Sequence, residues 1–217
     1  MKTRVIGIGA GGHAKGIIEM MGLSNHFRLV GLLDASPRLK GKSIFGVPVL
    51  GNDSLMQKLK KEGIRHFVLG VGSVGDSQNK RRLYQKAIQN GFEPITVIHP
   101  TGFISRTAQC GRGLVVMAGG VVHSAILGEN VIVNTGAIVE HDCIVGSHAH
   151  LASGSVLCGG VSVGEGGFIG AGAVVRQGVK IGRNAVVGAG AVVLKDVPID
   201  TIVVGVPARP LRGKKYG

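Results

Sequence analysis

The sequence predicts a small parallel α/β domain over residues 1–100, followed by a parallel β-helix over residues 101–206. Three observations predict this fold. Strands alternate with helical segments in the first hundred residues, an aliphatic residue recurs at every sixth position afterwards, and glycine supplies 38 of 217 residues. Because 44% of the residues are hydrophobic, the glycine content indicates tight turns between short strands and not disorder.

The first domain is predicted from four apolar segments that resemble strands and are separated by segments of helical pattern. Such alternation is typical of a parallel sheet with helical crossovers. The strands are RVIGIG, FRLVGLLD, HFVLGVG and EPITVIHP, and the intervening helical segments are AGGHAKGIIEMMG, SLMQKLKKEGI and DSQNKRRLYQKAIQNG. In the last helix, residues 80–82 (KRR) are interpreted as a solvated face in preference to a phosphate clamp.

The second domain is predicted from a six-residue period. Every sixth residue from Val115 to Ile199 is aliphatic, and the residue two positions earlier is usually small. This period is neither the 3.6 of a helix nor the 2 of an ordinary strand. A hexapeptide repeat is typical of a parallel β-helix, whose interior takes the aliphatic residue and whose corner takes the small one. Residues 207–217 then form a basic C-terminal tail.

Charge and cysteine content limit the classes of partner that suit the chain and the compartment in which it is expected to work. The net charge is +13, of which +9 lies in residues 1–100, and this favours an anionic partner or simply keeps the chain soluble. Few aromatic residues and no binding motif favour a nucleotide or coenzyme A over nucleic acid. Three cysteines without CxxC spacing, and no long apolar run, predict a cytoplasmic protein without membrane insertion.

The segment VEHDCIVGSHAHL, residues 139–151, holds three of the eight histidines. Their spacing matches no zinc motif, and they fall on different positions of the hexapeptide, so no metal site is predicted. The alternative is a catalytic base at His141, because an imidazole accepts protons near neutral pH and the carboxylate of Asp142 would raise its basicity. An exposed turn histidine without a role is the remaining interpretation, and His148 is assigned no function.

The segment GIGAGGHAKG follows the first strand and opens a helix. Glycines at that point let backbone N–H groups approach a pyrophosphate at the helix N-terminus. Asp34 ends the second strand, where a ribose-binding acid lies in dinucleotide folds. However, the domain has only about 100 residues and one mononucleotide-type unit, which argues against NAD.

The uninterrupted hexapeptides resemble the left-handed β-helix of the hexapeptide acyltransferases. The resemblance implies triangular coils of 18 residues, five to six of them here, and prisms that pack into a trimer. A lone prism would expose an apolar face, so a trimer is also the physical expectation. Coils of 18 residues predict three columns: His123, His141 and Gly159; Thr135, Ser153, Ala171 and Ala189; Asn134 and Ala152.

The complete chain is similar to the nucleotide-aminosugar N-acetyltransferases. The resemblance is carried by GAGGHAK at residues 9–15, EHD at 140–142 and GVPA at 205–208. It implies a homotrimer that transfers the acetyl group of acetyl-CoA to the amino group of a nucleotide-linked 4-amino-deoxysugar in O-antigen biosynthesis. GDP-perosamine is favoured, because the carboxylate at Asp34 suits the N–H groups of guanine. A contact of Asp34 with uracil or with the ribose is the open alternative.

The same resemblance assigns roles to individual residues. His141 is the base and Asp142 tunes it, while Gly159 offers its N–H to the thioester carbonyl, an oxyanion-type role. The residues assigned to the substrate are Gly11, Gly12, His13, Asp34, Gly72, Ser73 and Asn134. The residues assigned to coenzyme A are His150, Gly159, Ala171 and Ala189, the last two being equally well explained as small corner residues.

Two other functions stay open on the sequence. The first is a sialic acid-type O-acetyltransferase, in which deprotonation of a hydroxyl makes the base more necessary. The second is a β-helix without catalytic activity that serves as a binding or assembly scaffold.

Overall fold

The computed structural model describes residues 2–73, 75 and 77–211. The chain forms two compact units. One consists of residues up to 72 together with residues 80–97, and the other consists of residues 73–79 together with the chain from residue 98. The segment 73–79 therefore groups with the β-helix, although it lies within the first hundred residues.

The first unit is a six-stranded sheet with helices. The alternating pattern predicts the parallel sheet and its helices, but it misses the hairpin of two strands at residues 43–51. Its strand order is β3-β4-β2-β1-β5-β6, with every pairing parallel except the β3–β4 hairpin. The elements are β1 (Thr3–Ile8), α1 (Gly12–Leu23), β2 (Phe27–Leu33), β3 (Ser43–Ile44), β4 (Val47–Gly51), a 3₁₀ helix (Asp53–Leu55), α2 (Met56–Lys61), β5 (His66–Leu69), α3 (Gln78–Gln89) and β6 (Glu93–Pro94).

The core of this unit lies between the sheet and its helices. Ile6 and Phe67 are fully buried, and the Phe67 ring meets the edge of the Tyr84 ring of α3 at 5.5 Å. Lys80 is also fully buried, so the interpretation of residues 80–82 as a solvated face is wrong at Lys80, although Arg82 is exposed. Lys80, Tyr84 and Ala87 follow helical spacing, so Lys80 lies on the buried face of α3.

The predicted fourth strand over EPITVIHP is two short strands. β6 ends at Pro94, the Ile95 N–H donates a last hydrogen bond to the Phe67 carbonyl at 2.9 Å, and the chain then forms β7 (Val97–Ile98) in a different sheet. The uninterrupted apolar pattern in the sequence could not distinguish one strand from two.

The second unit is a left-handed parallel β-helix with three sheets. After β7 its strands are β8 (Phe103–Ile104), β9 (Gln109–Cys110), β10 (Val115–Val116), β11 (Val121–Val122), β12 (Ile126–Leu127), β13 (Ile132–Val133), β14 (Ile138–Val139), β15 (Ile144–Val145), β16 (His150–Leu151), β17 (Val156–Leu157), β18 (Ser162–Val163), β19 (Phe168–Ile169), β20 (Val174–Val175), β21 (Lys180–Ile181), β22 (Val186–Val187), β23 (Val192–Val193), β24 (Ile202–Val204) and β25 (Arg209–Pro210).

Each sheet collects every third strand up to β23, because one coil visits the three faces in turn; β24 and β25 then extend the first sheet. The sheets are β7-β10-β13-β16-β19-β22-β24-β25, β8-β11-β14-β17-β20-β23 and β9-β12-β15-β18-β21. The interior is a continuous column of aliphatic side chains with small corner residues such as Ala137, Cys143 and Ser155, all of them fully buried. The hexapeptide pattern therefore describes the core of most of the β-helix correctly.

The predicted interior series is wrong at its first two positions. Val116 and Val122 are the fully buried core residues, whereas Val121 is half-buried. One repeat is a residue short, since β11 pairs with β14 at a spacing of 17, Val122 beside Val139. The sequence does not show which valine of each pair faces the interior, because residues 115–116 and 121–122 are both Val-Val.

The short repeat changes one predicted column. The His123 N–H donates to the Val139 carbonyl at 2.9 Å, and the Asp142 N–H donates to the Ser124 carbonyl at 2.7 Å. His141 is therefore stacked on Ser124 and not on His123. Above this point the spacing is 18, and His141 accepts at its carbonyl from the Gly160 N–H at 2.9 Å.

The series is also wrong at its end. Ile199 is 59% exposed, and Val197 takes the interior place beside Ile181. The last coil is thus two residues short. The predicted tail begins with a strand, because β25 pairs antiparallel with β24. The remaining basic residues of the tail, Arg212, Lys214 and Lys215, lie outside the described residues.

Candidate active site

His141 and Asp142 form a hydrogen-bonded pair at an edge of the β-helix. Asp142 has a φ of 61°, a left-handed conformation that aspartate tolerates better than most residues. This turn abolishes the strand rule by which neighbouring side chains point in opposite directions. As a result the Nδ1 of His141 lies 2.8 Å from the Oδ2 of Asp142, and both side chains are exposed, at 61% and 79%.

The carboxylate determines the chemistry of this imidazole. The hydrogen bond to Asp142, and secondly its negative charge, raise the pKa of His141 above the usual histidine value. A carboxylate can only accept, so Nδ1 carries the proton and donates it to Asp142. The Nε2 atom then has the lone pair and is the basic atom of the pair.

Gly159 lies one coil above His141, directly against its ring. A Cβ atom at Gly159 would lie 2.7 Å from the Cε1 and 2.8 Å from the Nε2 of His141, so only glycine allows this approach. The Gly159 carbonyl accepts from the Gly178 N–H at 3.0 Å, whereas no hydrogen bond recorded for the described residues uses the Gly159 N–H. The column of His141 and Gly159 is confirmed.

A second histidine site brings together three residues that the sequence could only assign separately. The Nδ1 of His150 lies 2.8 Å from the Ser73 carbonyl oxygen, and its Nε2 lies 3.2 Å from the Nδ2 of Asn134. His150 is 6% exposed and Ser73 is 4% exposed. Both ring nitrogens of His150 are thus engaged with protein groups, and direct contact of His150 with coenzyme A stays a prediction.

The small-residue column runs along a neighbouring edge. Thr135, Ser153, Ala171 and Ala189 are all exposed. The carbonyls of Thr135, Ser153 and Ala171 accept in turn from the glycines of the next coil, Gly154, Gly172 and Gly190, at 2.8–2.9 Å. The predicted stacking of this column is confirmed. It provides an exposed edge without bulky side chains, and the coenzyme role of Ala171 and Ala189 stays a prediction.

In the first unit the glycine loop opens α1 as predicted. Helix α1 begins at Gly12 with Gly11 as its N-cap, no side chain caps it, and its first turn has no acidic residue. Space within 4 Å of a Cβ built at either glycine is empty. Free N–H groups at such an end suit an anion.

Asp34 and His13 are shaped by their surroundings. The Asp34 carboxylate already accepts from the Ala10 N–H and the Ser36 N–H, each at 2.8 Å, so it ties the glycine loop to the end of β2. Removal from water lowers the pKa of His13 to about 4, with a second contribution from the Lys80 cation. Gly72 is half-buried just beyond β5. Substrate contacts of these residues stay predictions.

The buried Lys80 is the residue near this loop that sequence reasoning missed. Burial lowers its pKa to about 7. Its signal in the sequence was the spacing Lys80, Tyr84, Ala87 on one helix face. In the described part of the chain no group of three or more His, Cys, Asp and Glu side chains is placed to hold a metal ion. Within the same residues no helix is long and apolar enough to cross a membrane.

Comparison with known families matches both units. The PglD N-terminal domain matches residues 4–87, the bacterial transferase hexapeptide (six repeats) matches residues 124–159, and the hexapeptide repeat of succinyl-transferase matches residues 160–195. Among curated proteins the chain is 33% identical over 113 residues to UDP-N-acetylbacillosamine N-acetyltransferase of Bacillus subtilis (strain 168). That alignment covers 51% of this chain and spans about half, 50%, of the relative's length.

Solved structures match over nearly the full length. A histidine-to-asparagine mutant of perosamine N-acetyltransferase from Caulobacter crescentus, in complex with CoA and GDP-perosamine, is 38% identical with a TM-score of 0.90, and the match covers 96% of this chain and 97% of that one. The acetyltransferase domain of PglB from Neisseria gonorrhoeae FA1090 is 34% identical with a TM-score of 0.88, covering 97% and 100%. The chain belongs to the hexapeptide-repeat family of sugar N-acetyltransferases that contains the perosamine and PglB enzymes.

Proposed function

We propose that the protein is an acetyl-CoA-dependent N-acetyltransferase whose acceptor is the amino group of a nucleotide-linked 4-amino-deoxysugar, with GDP-perosamine as the favoured substrate. The observation that carries the proposal is the His141–Asp142 pair at 2.8 Å with Gly159 against its ring. Similarity to perosamine N-acetyltransferase over 96% of this chain supports the choice of sugar.

The residues present suit direct attack of the amine on the thioester. The amine nitrogen forms a bond to the acetyl carbon, and the carbon–sulfur bond breaks, so that CoA leaves as a thiolate. Nε2 of His141 takes a proton from the attacking nitrogen, and the imidazolium then returns it to the thiolate. Positioning of the two reactants beside the base supplies much of the rate.

Gly159 would act on the thioester oxygen. Its N–H, which no rung hydrogen bond of the described residues uses, would donate to the oxygen that becomes negative as the amine attacks. Donors fixed in advance for such an oxyanion are a strong source of transition-state stabilisation. The exposed edge of Ala171 and Ala189 would receive the extended arm of the coenzyme, because no large side chain stands in its way.

The nucleotide would bind in the first unit. The uncapped start of α1 at Gly11, Gly12 and His13 is suited to the diphosphate, and Asp34 retains acceptor capacity for the base beside its two backbone hydrogen bonds. Gly72 is a further proposed substrate contact of the first unit. Ser73 and Asn134 are proposed substrate contacts of the second unit, with Asn134 directed to the sugar or the acetyl group. We place this chemistry in the cytoplasm, where acetyl-CoA is made available.

A homotrimer is part of the proposal. The second sheet of the β-helix presents a half-buried aliphatic column, Val121, Ile138, Val156, Val174 and Val192. Phe103, at the same face, is 51% exposed. Such a stripe is suited to self-association of prisms. Sedimentation equilibrium would give three times the chain mass, and a monomer at micromolar concentration would contradict this part.

The substrate assignment is tested by release of free CoA. The purified protein is assayed with acetyl-CoA and GDP-, UDP- or dTDP-linked 4-aminosugars, and with sialic acid as the hydroxyl acceptor. Turnover with GDP-perosamine is expected to exceed that with the other nucleotides. Turnover with sialic acid alone would establish an O-acetyltransferase, and no turnover with any aminosugar would reject the proposal.

A further inference from the structure

His150, Asn134 and Ser73 form a buried chain of hydrogen bonds that begins at the backbone of Thr135. The Thr135 N–H donates to the Oδ1 of Asn134 at 2.8 Å, which fixes the orientation of the side-chain amide. Its Nδ2 therefore points to the Nε2 of His150, 3.2 Å away. On the other side of the ring, Nδ1 lies 2.8 Å from the Ser73 carbonyl oxygen.

Two of these contacts favour one protonation state of His150. The amide nitrogen of Asn134 is a donor, so Nε2 must accept; the Ser73 carbonyl is an acceptor, so Nδ1 must donate. The other neutral tautomer would set Nε2–H against an N–H donor and the Nδ1 lone pair against a carbonyl oxygen at 2.8 Å. An imidazolium would keep the first of these conflicts. The Ser73 N–H is also placed to donate to Nδ1, at 3.2 Å, a hydrogen bond that the other tautomer would make. The shorter contact with the Ser73 carbonyl and the Asn134 donor at Nε2 together favour the Nδ1–H form.

The surroundings of His150 hold the ring and the Ser73 segment together. The ring meets Phe168 edge to face at 5.4 Å, and His150 is almost completely buried. A few residues later, Ser77 is 6% exposed. A Cβ atom at Gly166 would lie 2.5 Å from the Oγ of Ser77. Ser73 and Ser77 are therefore both packed on the β-helix, at His150 and at Gly166 respectively.

We propose that Asn134 is a positioning residue that holds His150 as the neutral Nδ1–H tautomer, and that His150 in this form anchors Ser73 to the β-helix. The role of Ser73 in substrate binding rests on the proposed function, whereas the tautomer and the anchoring do not. Ser73 is then already ordered on the β-helix before substrate arrives, which lowers the ordering cost of any contact that it makes with the substrate.

The tautomer is measured by nitrogen NMR of the full chain labelled with ¹⁵N-histidine. The His150 signals are identified by their loss in His150→Gln. At pH 7 we expect Nδ1 to show a protonated-type shift and Nε2 an unprotonated-type shift. An Nε2–H tautomer or an imidazolium in the native protein would overturn the proposal.

Two variants of Asn134 separate positioning from packing. Asn134→Asp puts an acceptor opposite Nε2, so we expect His150 to become an imidazolium with the Ser73 contact preserved. Asn134→Leu keeps the volume but removes the donor, so we expect mixed tautomers and faster amide hydrogen exchange at Ser73 and Ser77. If Asn134→Leu leaves both the tautomer and the exchange rates unchanged, packing alone holds the ring and the positioning role is wrong.

The functional consequence is tested at the second anchor. A methyl group in Gly166→Ala would meet both Ser77 and the Oδ1 of Asn184, at 2.5 and 2.6 Å. Gly63→Ala imposes a similar left-handed strain, at a φ of 83° against 68°, in open space. We expect Asn134→Leu and Gly166→Ala each to raise the KM for GDP-perosamine about tenfold with a small change in kcat, the effect of one lost hydrogen bond, and Gly63→Ala to change neither. Equal loss of kcat in all three variants would contradict the proposal. Absence of turnover in the native protein together with the expected tautomer would instead reject only the proposed function.

Discussion

His141 and His150 lie nine residues apart on the same β-helix, and their different neighbours give them opposite properties. Both rings donate from Nδ1, to the Asp142 carboxylate in one case and to the Ser73 carbonyl in the other. The Nε2 of His141 is open and basic, because a negative charge stands behind it. The Nε2 of His150 is occupied by the Asn134 amide. The hydrogen-bond partners of Nδ1 and Nε2, and not the residue type, therefore determine what each histidine can do.

The largest expected effect comes from His141→Asn. Loss of a positioned base lowers rates by about 10²–10⁴-fold, and we expect a fall in kcat of this size while thermal stabilisation by GDP-perosamine is retained. His150→Asn should instead raise the KM for GDP-perosamine and speed amide hydrogen exchange at Ser73 and Ser77. If both replacements give the same kcat loss, the contrast between a base and an anchor is wrong.

Lys80→Met extends the contrast to a buried cation in the first unit. Burial lowers the pKa of Lys80 to about 7 from 10.5, so the folded protein carries a desolvation cost at pH 7. We expect the variant to lack this cost and to be the more stable protein at pH 7 by an amount on the order of a few kcal/mol, since one unit of pKa difference corresponds to about 1.4 kcal/mol. Chemical denaturation at several pH values measures this.

The pH dependence gives the control for that measurement. Between pH 7 and 10.5 the unfolded chain binds a proton that the folded native protein lacks, so the native protein gains stability as the pH rises. The advantage of Lys80→Met should therefore be largest below pH 7 and shrink towards pH 10.5. A pH-independent difference would show that packing, and not charge, distinguishes the two proteins. The variant should also raise the pKa of His13, since the Lys80 cation is its second cause of lowering.

Gly159→Ala tests the geometry in front of His141. The added methyl group would overlap the imidazole at 2.7 Å and must push it away from its place. We expect kcat to fall about tenfold, the equivalent of one displaced hydrogen bond, with little loss of stability. Gly22→Ala, which adds a methyl group in open space, is the matched control. An unchanged kcat in Gly159→Ala would remove Gly159 from the reaction centre.

The sequence predicted the repeat better than its phase. The hexapeptide period located the interior of the β-helix from Leu127 to Val193, because each interior site accepts only an aliphatic residue. It failed at the Val115–Val116 and Val121–Val122 pairs and at Ile199, where a coil is short and either phase satisfies the pattern. The column of His141 and Gly159 followed because both lie above the short repeat.

Site contacts between residues adjacent in the chain could be predicted from the sequence, whereas contacts between distant residues could not. Asp142 could be paired with His141 because the two are adjacent in the chain. The contact of His150 with Ser73 joins residues 77 positions apart on a segment with no repeat of its own. No period or motif links them. Ser73 and Asn134, assigned to the substrate, and His150, assigned to coenzyme A, therefore proved to be one hydrogen-bonded group.

Asp142→Asn has the smallest expected effect. It is the most direct test of the carboxylate that binds the Nδ1 of His141. Asparagine tolerates the left-handed backbone at φ 61°, so the fold should be preserved. The hydrogen bond and charge that raise the pKa of His141 are weakened or removed, and the pKa should fall. A base works when unprotonated, so the acid limb of the kcat/KM profile should move to lower pH while the plateau drops by a few-fold, as Brønsted behaviour requires of a weaker base. Glu140→Gln is the control, because Glu140 makes the smallest of the contributions that raise this pKa. The acid limb of its kcat/KM profile should move in the same direction by less. A limb that stays in place in Asp142→Asn would mean that His141 orients the amine and does not take its proton.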